Sequence, residues 1–510
     1  MIKIQHKKQI YYEVNPLFFY DSNDDGFGDF AGLSKKIDYF SFMGVNCIII
    51  PDIFNNYNSL LFSKFINLKN KYGNIKELRE MIEIIGKKKI NFAVEVNIKD
   101  IKKSLLFSSD GSINEGDFGQ SKKAFFLAKN QSENQSENWN SRKTLESFDK
   151  IIRFWISLGV MNFVFTDFEY LFNKNEVFSS ITKDQLNQLY EIVNKINPLI
   201  TIILKSPLLT QKNINDCLNQ EAQAADLFID SSYSLLGTNP KTNNDKIEKF
   251  KPIKMISRIK AAHLISDMNN NIIMSLGSGA SGRINSRWGS EGSLNSLAAK
   301  ALMAISLMSA NSSLIYYGDE LGVLKTNIKN MSDFNDINLV ERRRNLQSQG
   351  QSEIDFNTAQ QYLSPINTQS LFQWDLSKNG GFSKSDTIVR QTSSTYKEIN
   401  VANQYMDLDS PLTYSKKLIE LIKSPLYAHF FNESITKVSA ISREVIKYQH
   451  KFGDEKLFIF INISRKWKKV NISNNLGVIM SNYTNKKYQN KIKMLGPFES
   501  IVLFSKKDQL

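Results

Sequence analysis

The stretch from Gly159 to Tyr170, "GVMNFVFTDFEY", decides how this chain folds. A run of bulky apolar residues leads into Thr166, Asp167 and Glu169, which is the pattern of a buried strand that ends in a polar loop. An acid at the carboxyl end of a barrel strand is where catalysis usually sits. The stretch therefore predicts one strand of a barrel, with Asp167 as the first residue to consider as a catalytic acid.

Similar apolar, β-branched runs recur before and after this stretch, with amphipathic helical patterns between them: "VNCIIIP", "INFAVEVN", "LITIILK", "ADLFID" and "NNIIMSL". Strands and helices in alternation imply parallel strands that are joined by crossovers. So many units favour a closed (β/α)8 barrel, a TIM barrel of class α/β, over an open sheet. After about residue 430 the pattern changes to "KLFIFINIS", "KVNIS", "GVIMSNY" and "SIVLFS", which predict antiparallel strands of a small β-sandwich.

Composition narrows the class of protein. The chain has 510 residues, 41% hydrophobic and 23% charged, which is typical of a globular protein with two or three domains. Its two cysteines, Cys47 and Cys217, favour a reducing compartment, and the sequence contains neither a signal-peptide pattern nor a window as long as a membrane span. We therefore predict a cytoplasmic protein with no transmembrane segment.

The net charge of +14 raises the alternative of an acidic partner, such as nucleic acid or an anionic membrane surface. The basic residues are scattered in short clusters such as "GKKKI" and "RKWKKV", and each cluster fits a solvated face. Charge alone is weak evidence of a specific partner, so both of these partners are disfavoured.

Several longer motifs occur in a fixed order between about residues 7 and 505: "YEVNPLFFYDSNDDGFGDFAGLSKKIDYFSFMGVN", "INSRWG", "YYGDELG", "FQWDLSKNGGFS", "INVANQ" and "PFESIVLF". In combination they resemble the alpha-amylase family (glycoside hydrolase family 13), and its oligo-1,6-glucosidase and alpha-glucosidase branch most closely. The resemblance implies a barrel, a small subdomain inserted after the third strand, and a C-terminal β-sandwich. We therefore predict a barrel formed by residues 1–97 and 132–429, a shortened insert at residues 98–131, and a sandwich at residues 430–510.

The first of these motifs also predicts a metal site. Asp21, Asn23, Asp25 and Asp29 stand at alternate positions in a loop with glycines, and the Phe27 carbonyl fills a gap between them. Oxygen ligands at this spacing suit a hard cation. The resemblance implies structural calcium here, and the alternative is an Asp/Asn/Gly turn that holds no metal.

The catalytic pattern of the resembled family is incomplete in this chain. Retaining glycosidases need two carboxylates about 5–5.5 Å apart, one as nucleophile and one as acid/base. Aligning the strand motifs puts Thr166 at the family's nucleophile, Lys205 at its proton donor and Ala280 at its third acid. Because all three acids are replaced, we predict that no catalytic residue remains at these positions.

Two residues keep the identity that the family uses around the sugar, and we predict that Asn97 and Arg283 bind substrate. The loop after the second strand aligns with residues that lack the family's sugar-gripping groups: Leu60, Leu61, Lys64 and Phe65. The pocket is therefore expected to differ from that of the active relatives.

Asp167 remains the one weak candidate to replace the lost nucleophile. Side chains alternate along a strand, so a shift of one residue from Thr166 is expected to turn Asp167 away from the barrel mouth. A strand bulge would restore it, but the sequence gives no signal of one. Lys205 would serve as a proton donor only if burial lowered its pKa strongly.

Three functions follow from these observations. The first is a catalytically inactive pseudoenzyme of amylase fold that binds an oligosaccharide or an unidentified protein partner. The second is an alpha-glucosidase that hydrolyses short alpha-glucans, as part of carbohydrate metabolism, with a rearranged active site. The third, supported only by charge, is a basic surface that binds nucleic acid or an anionic membrane.

Overall fold

The computed structural model describes twelve segments of the chain: residues 7–53, 71–98, 142–169, 178–219, 223–238, 246–269, 271–326, 337–348, 352–433, 435–473, 476–488 and 491–505. The predicted insert at 98–131 lies outside them except for its first residue. The sugar-gripping loop that includes residues 60–65 also lies outside them.

Eight parallel strands form a closed barrel: β1 (Ile10–Glu13), β2 (Cys47–Ile50), β3 (Asn91–Asn97), β4 (Asn162–Thr166), β5 (Thr201–Ser206), β6 (Leu227–Asp230), β7 (Ile272–Ser275) and β8 (Ser312–Tyr316). They are arranged in sequence order. Tyr11 of β1 stands opposite Cys47 of β2 on one side and Leu314 of β8 on the other, and this double pairing closes the barrel. The predicted (β/α)8 barrel is confirmed.

Helices in the described segments follow the strands: Phe30–Lys35, Ile37–Met43, Ile75–Lys87, Arg142–Ser157, Ser180–Ile196, Gln211–Leu218, Pro252–Asn269, Ile284–Trp288, Asn295–Leu307, Ile337–Ser348, Glu353–Leu363, Val401–Met406, Pro411–Lys423 and His429–Asn432. The helix Ile75–Lys87 illustrates why they form. Asn74 and Glu77 make a reciprocal capping box at its start, and buried Leu78, Met81 and Ile85 face the barrel at helical spacing. Within the described segments, no helix combines the length and the apolar character needed to cross a membrane.

The inside of the barrel is filled by a cluster of buried apolar side chains, which we call the apolar layer: Tyr11, Cys47, Ile49, Ala93, Val164, Ile203, Leu227, Ile229, Ile273 and Leu314. Alternate residues of a strand face the same side, so these residues fix which later residues also point inward. The layer closes the barrel below and leaves its carboxyl end to polar side chains.

Antiparallel sheets follow the barrel, as predicted. One sheet contains β9 (Ile435–Ser442), β10 (Val445–Phe452), β11 (Glu455–Asn462), β13 (Gly477–Ser481) and β15 (Ser500–Ser505), in the order β13-β15-β11-β10-β9. A second sheet pairs β12 (Lys468–Ile472) with β14 (Ile492–Leu495). The Tyr448 hydroxyl on β10 donates to the Ile305 carbonyl at 2.8 Å, so the C-terminal unit is tied to a barrel helix.

Candidate functional site

A cleft of about 370 Å³ opens at the carboxyl end of the barrel. Its floor comes from the residues that lie two positions beyond the apolar layer and therefore share its inward direction. These residues are Glu13, Glu95, Thr166, Lys205, Ser231 and Tyr316. The alternation that fills the barrel thus also selects the side chains that face the cleft.

The three positions that the resemblance assigns to catalytic acids come together in this cleft. Thr166 ends β4, Lys205 lies near the end of β5, and Ala280 follows β7, and all three line the cavity. None of the three side chains carries a carboxyl group. The alignment of these positions therefore agrees with the geometry, while the chemistry at each of them differs from that of a retaining glycosidase.

Lys205 is held between two buried glutamates. Its Nζ lies 2.6 Å from Oε2 of Glu13 on β1 and 2.6 Å from Oε1 of Glu95 on β3. The three side chains are only 11%, 7% and 12% exposed, respectively. A lysine ammonium has three donors, so two of them are committed to these carboxylates.

Lys205, Glu13 and Glu95 form a buried charged triad, and their charges shift the pKa values of Lys205 and Glu95. Burial alone would lower the pKa of Lys205, but Glu13 and Glu95 outweigh it, and the net shift is upward. Burial raises the pKa of Glu95 to about 7, against the opposing effect of Lys205 and together with the charge of Glu13. Two carboxylates that share one ammonium in a low-dielectric site make the second ionisation unfavourable. Lys205 therefore stays protonated, while burial favours the protonated form of Glu95.

Asp167 lines the cleft, contrary to the expectation from strand parity, which is wrong. β4 ends at Thr166, and Asp167 adopts a φ of +54°, the left-handed region that aspartate tolerates better than most residues. Regular alternation stops at this residue, so its side chain can return to the cleft. There Asn97 Nδ2 donates to Asp167 Oδ2 at 2.7 Å.

Two further acids that stood outside the aligned motifs also reach the cleft. Glu169 is buried and accepts a hydrogen bond from the Ser206 hydroxyl; burial raises its pKa, while the Ser206 bond acts in the opposite direction. Asp52 follows β2 and accepts a hydrogen bond from the Asn97 backbone N–H at 3.0 Å. With Glu13, Glu95 and Asp167, the described lining contains five acids and a single lysine.

The two predicted substrate-binding residues have different positions. Asn97 lines the cleft, as expected for a residue that contacts a ligand. Arg283 is only 1% exposed and is absent from the cleft wall; its guanidinium donates to the Tyr317 carbonyl at 2.5 Å and the Ser370 hydroxyl at 3.0 Å. It also lies 3.9 Å from Asp319. These contacts hold Arg283 in the packing around Tyr317 and Ser370, and its predicted contact with substrate stays a prediction.

The predicted calcium loop is organised by its own hydrogen bonds. Both carboxylate oxygens of Asp21 accept backbone N–H groups, from Asp24 at 2.8 Å and Gly26 at 2.7 Å. Asp29 accepts from Ser22 and Gly32 in the same way. The described residues hold no group of three or more Asp, Glu, His or Cys side chains placed to bind a metal. Asp21, Asn23, Asp25, Phe27 and Asp29 have suitable oxygen chemistry, and calcium binding by this loop stays a prediction.

The motif alignment missed two acids that line the cleft, Glu13 and Glu95. Both share the inward parity of the apolar layer, two residues beyond Tyr11 and Ala93. A count of alternate positions along β1 and β3 would have placed them in the cleft. Their ion pairs with Lys205 could not be read in the same way, since the three residues lie far apart in the sequence.

Sequence comparison identifies the family to which this barrel belongs. The family model for the alpha-amylase catalytic domain matches residues 9–105 and 107–428, so the chain belongs to the alpha-amylase family, glycoside hydrolase family 13. Among curated proteins it is 20% identical to an oligo-1,6-glucosidase of Parageobacillus thermoglucosidasius, over 91% of this chain and 92% of that protein. It is also 19% identical to a trehalose-6-phosphate hydrolase of Bacillus subtilis, over 89% of each chain.

Solved structures give the same fold. The trehalose-6-phosphate hydrolase of Bacillus licheniformis superposes with a TM-score of 0.82 at 18% identity, and the match covers 98% of this chain and 99% of that one. The isomaltulose synthase of Klebsiella sp. LX3 has a TM-score of 0.82 at 17% identity, with 97% and 98% coverage. At these identities the likeness defines the fold, while the activity has to be argued from the cleft.

Proposed function

We propose that this amylase-fold protein binds a small carbohydrate in the barrel cleft without performing the hydrolysis of a retaining glycosidase. The observation that carries the proposal is the occupancy of the three aligned acid positions by Thr166, Lys205 and Ala280, all in one cleft. A threonine and an alanine offer neither a carboxylate nucleophile nor a carboxylate that stabilises an oxocarbenium-like transition state.

Lys205 does not substitute for the missing proton donor. A general acid works best with a pKa near the working pH, whereas Glu13 and Glu95 hold the pKa of Lys205 above its usual value. The lysine is also fixed by two bonds of 2.6 Å, so releasing its proton would leave two buried carboxylates without a cation. The triad therefore stabilises the floor of the cleft and presents at most one remaining N–H to a ligand.

The lining favours a neutral, polyhydroxylated ligand. Carboxylates and the hydroxyls of Thr166, Ser231 and Ser278 accept hydrogen bonds from sugar hydroxyls, and Asn97 both donates and accepts. Among the described residues of the lining, five acids against one lysine repel phosphates, which argues against a nucleic acid in this cleft despite the net charge of +14. A protein partner is the remaining option if no sugar binds.

The test is direct binding of maltose, isomaltose and glucose, measured by calorimetry and by the shift in melting temperature. We expect saturable binding that is weakened at least tenfold by Asn97→Ala, since this variant removes an amide from the cleft wall. The matched control is Asn403→Ala, an exposed asparagine far along the chain whose side chain donates to the Lys397 carbonyl. Absence of any shift with millimolar sugar would contradict carbohydrate binding and favour a protein partner.

A second function is favoured by one observation, the return of Asp167 to the cleft. Asp167 and buried Glu169 would then form a rearranged pair, with Asp167 as nucleophile and Glu169, whose pKa is raised by burial, as proton donor. Such an alpha-glucosidase would release glucose from short alpha-glucans. Loss of that activity in Asp167→Asn and in Glu169→Gln would support this function against the binding-only proposal.

We also propose a cytoplasmic location, which is supported by the state of the two cysteines. Cys47 lies in the barrel interior and Cys217 in the helix Gln211–Leu218, and both are free and buried. Two unpaired thiols fit a reducing compartment. Secretion of the native protein into a culture medium would contradict this location.

A further inference from the structure

A second cavity, of about 320 Å³, lies beside the cleft. It is formed by the segment that follows β5, by the segment that follows β6 and by the helix Pro252–Asn269. Most of its wall is apolar and is contributed by Pro207, Leu208, Leu209, Ile214, Leu235 and Ala262. We call this cavity the side pocket.

The two charged residues of the side pocket, Asp230 and Arg258, both contact the Ser232 backbone. Asp230 accepts the Ser232 backbone N–H at 3.0 Å, and Arg258 donates to the Ser232 carbonyl. One acid and one base give the wall no formal net charge. An occupant therefore needs no charge of its own, and the apolar wall decides what fits.

The side pocket and the cleft adjoin each other. Pro207 lines both cavities, and the consecutive residues Ser231 and Ser232 line the cleft and the side pocket, respectively. One cavity is rich in carboxylates and hydroxyls, whereas its neighbour is aliphatic. A single molecule with a polar head and an apolar group would match the two surfaces at once.

We propose that the side pocket binds the apolar aglycone of a glycoside whose sugar occupies the cleft, so that the ligand class is an amphiphilic alkyl or aryl glycoside. This inference rests on the proposed carbohydrate binding. The sugar would lie in the cleft on one side of Pro207, and the aglycone would lie in the side pocket on the other side. The side pocket would then determine which aglycones bind.

The experiment compares methyl, butyl and hexyl α-glucoside with the full-length protein by calorimetry. Each methylene that enters an apolar pocket tightens binding by about fourfold, so we expect affinity to rise steeply from methyl to hexyl. An affinity that is the same for all three glucosides would overturn the inference and leave sugar binding intact. No binding of any glucoside would contradict the proposed function itself, and binding of hexanol as tight as that of hexyl glucoside would overturn the joint site.

Two variants localise the effect to the side pocket. Leu208→Asn makes the exposed rim of the pocket polar, and Ala262→Met fills part of its volume. Both variants should reduce the gain in affinity from methyl to hexyl glucoside at least fivefold. The affinity for methyl glucoside should stay within twofold of that of the unchanged protein. The control is Leu199→Asn, an exposed leucine before β5 that does not line the pocket. An unchanged gain in affinity in both pocket variants would overturn the assignment. If one variant folds poorly, an unchanged gain in the other would overturn it.

Discussion

Replacing Lys205 with methionine removes the ammonium that pairs with Glu13 and Glu95 in the floor of the cleft. Both glutamates are nearly buried, and each lies 2.6 Å from the ammonium. Breaking a buried ion pair by removing one partner costs about 3–5 kcal/mol, because the remaining charge stays in a low-dielectric site. We expect the free energy of unfolding to fall by roughly this amount at pH 8.

We expect the loss of unfolding free energy in Lys205→Met to depend on pH. Burial raises the pKa of Glu95 to about 7, so the folded protein holds this proton more tightly than the unfolded chain. Stability from this group is fully present below its unfolded pKa and is lost as the pH rises through about 7. Without Lys205 the preference for protonated glutamates increases. The defect of Lys205→Met should therefore shrink between pH 8 and pH 5.

The assay is urea unfolding at both pH values, followed by tryptophan fluorescence. The triple variant Lys205→Met, Glu13→Gln, Glu95→Gln should regain most of the loss, since neutral groups of similar size replace all three charges. Lys76→Met serves as the surface control: Lys76 pairs with Glu80, and both are mostly exposed, so the change should stay within about 0.5 kcal/mol. A loss below about 1 kcal/mol, or one that does not depend on pH, would contradict the role of Lys205 as the buried counter-ion of Glu13 and Glu95.

Two further predictions concern other parts of the molecule. If the loop from Asp21 to Asp29 binds calcium, a chelator should lower the melting temperature by several degrees, and Asp25→Asn should remove this response; a melting temperature that chelator leaves unchanged would contradict the calcium prediction. Burial lowers the pKa of His263 to about 3 and that of His450 to about 4, so their contribution to stability is complete above about pH 6.5 and is lost as the pH falls towards those values. His263→Phe should therefore flatten the decline in unfolding midpoint between pH 7 and pH 5, and an equally steep decline in the variant would count against buried neutral histidines.

The barrel could be predicted from local patterns, because strand runs such as "INFAVEVN" and "LITIILK" are short, apolar and separated by helical stretches. The same patterns predicted the antiparallel C-terminal strands but did not reveal β9, β10 and β14, whose more polar faces are less distinctive. Short motifs in a fixed order identified the family. These features depend on residues that are close in the sequence.

The arrangement of the cleft depends on backbone angles and on contacts between residues that are far apart in the sequence, and neither could be predicted from short sequence patterns. Strand parity predicted the wrong direction for Asp167, because a positive φ at the residue after β4 ends the alternation. The partners of Lys205 are 192 and 110 residues away, so only the closed barrel brings them together. Arg283 matched a family position but is buried among backbone and hydroxyl acceptors. Motif identity therefore located the cleft correctly, whereas the partners of each side chain required the three-dimensional structure.

Glucose release from maltose, isomaltose and an aryl α-glucoside by the purified protein tests most directly whether the cleft hydrolyses glycosides. We predict no release above the rate without protein, because Thr166, Lys205 and Ala280 supply none of the carboxylates that the reaction requires. Release that is abolished by Asp167→Asn or by Glu169→Gln would contradict this prediction and would establish a rearranged alpha-glucosidase in this cleft.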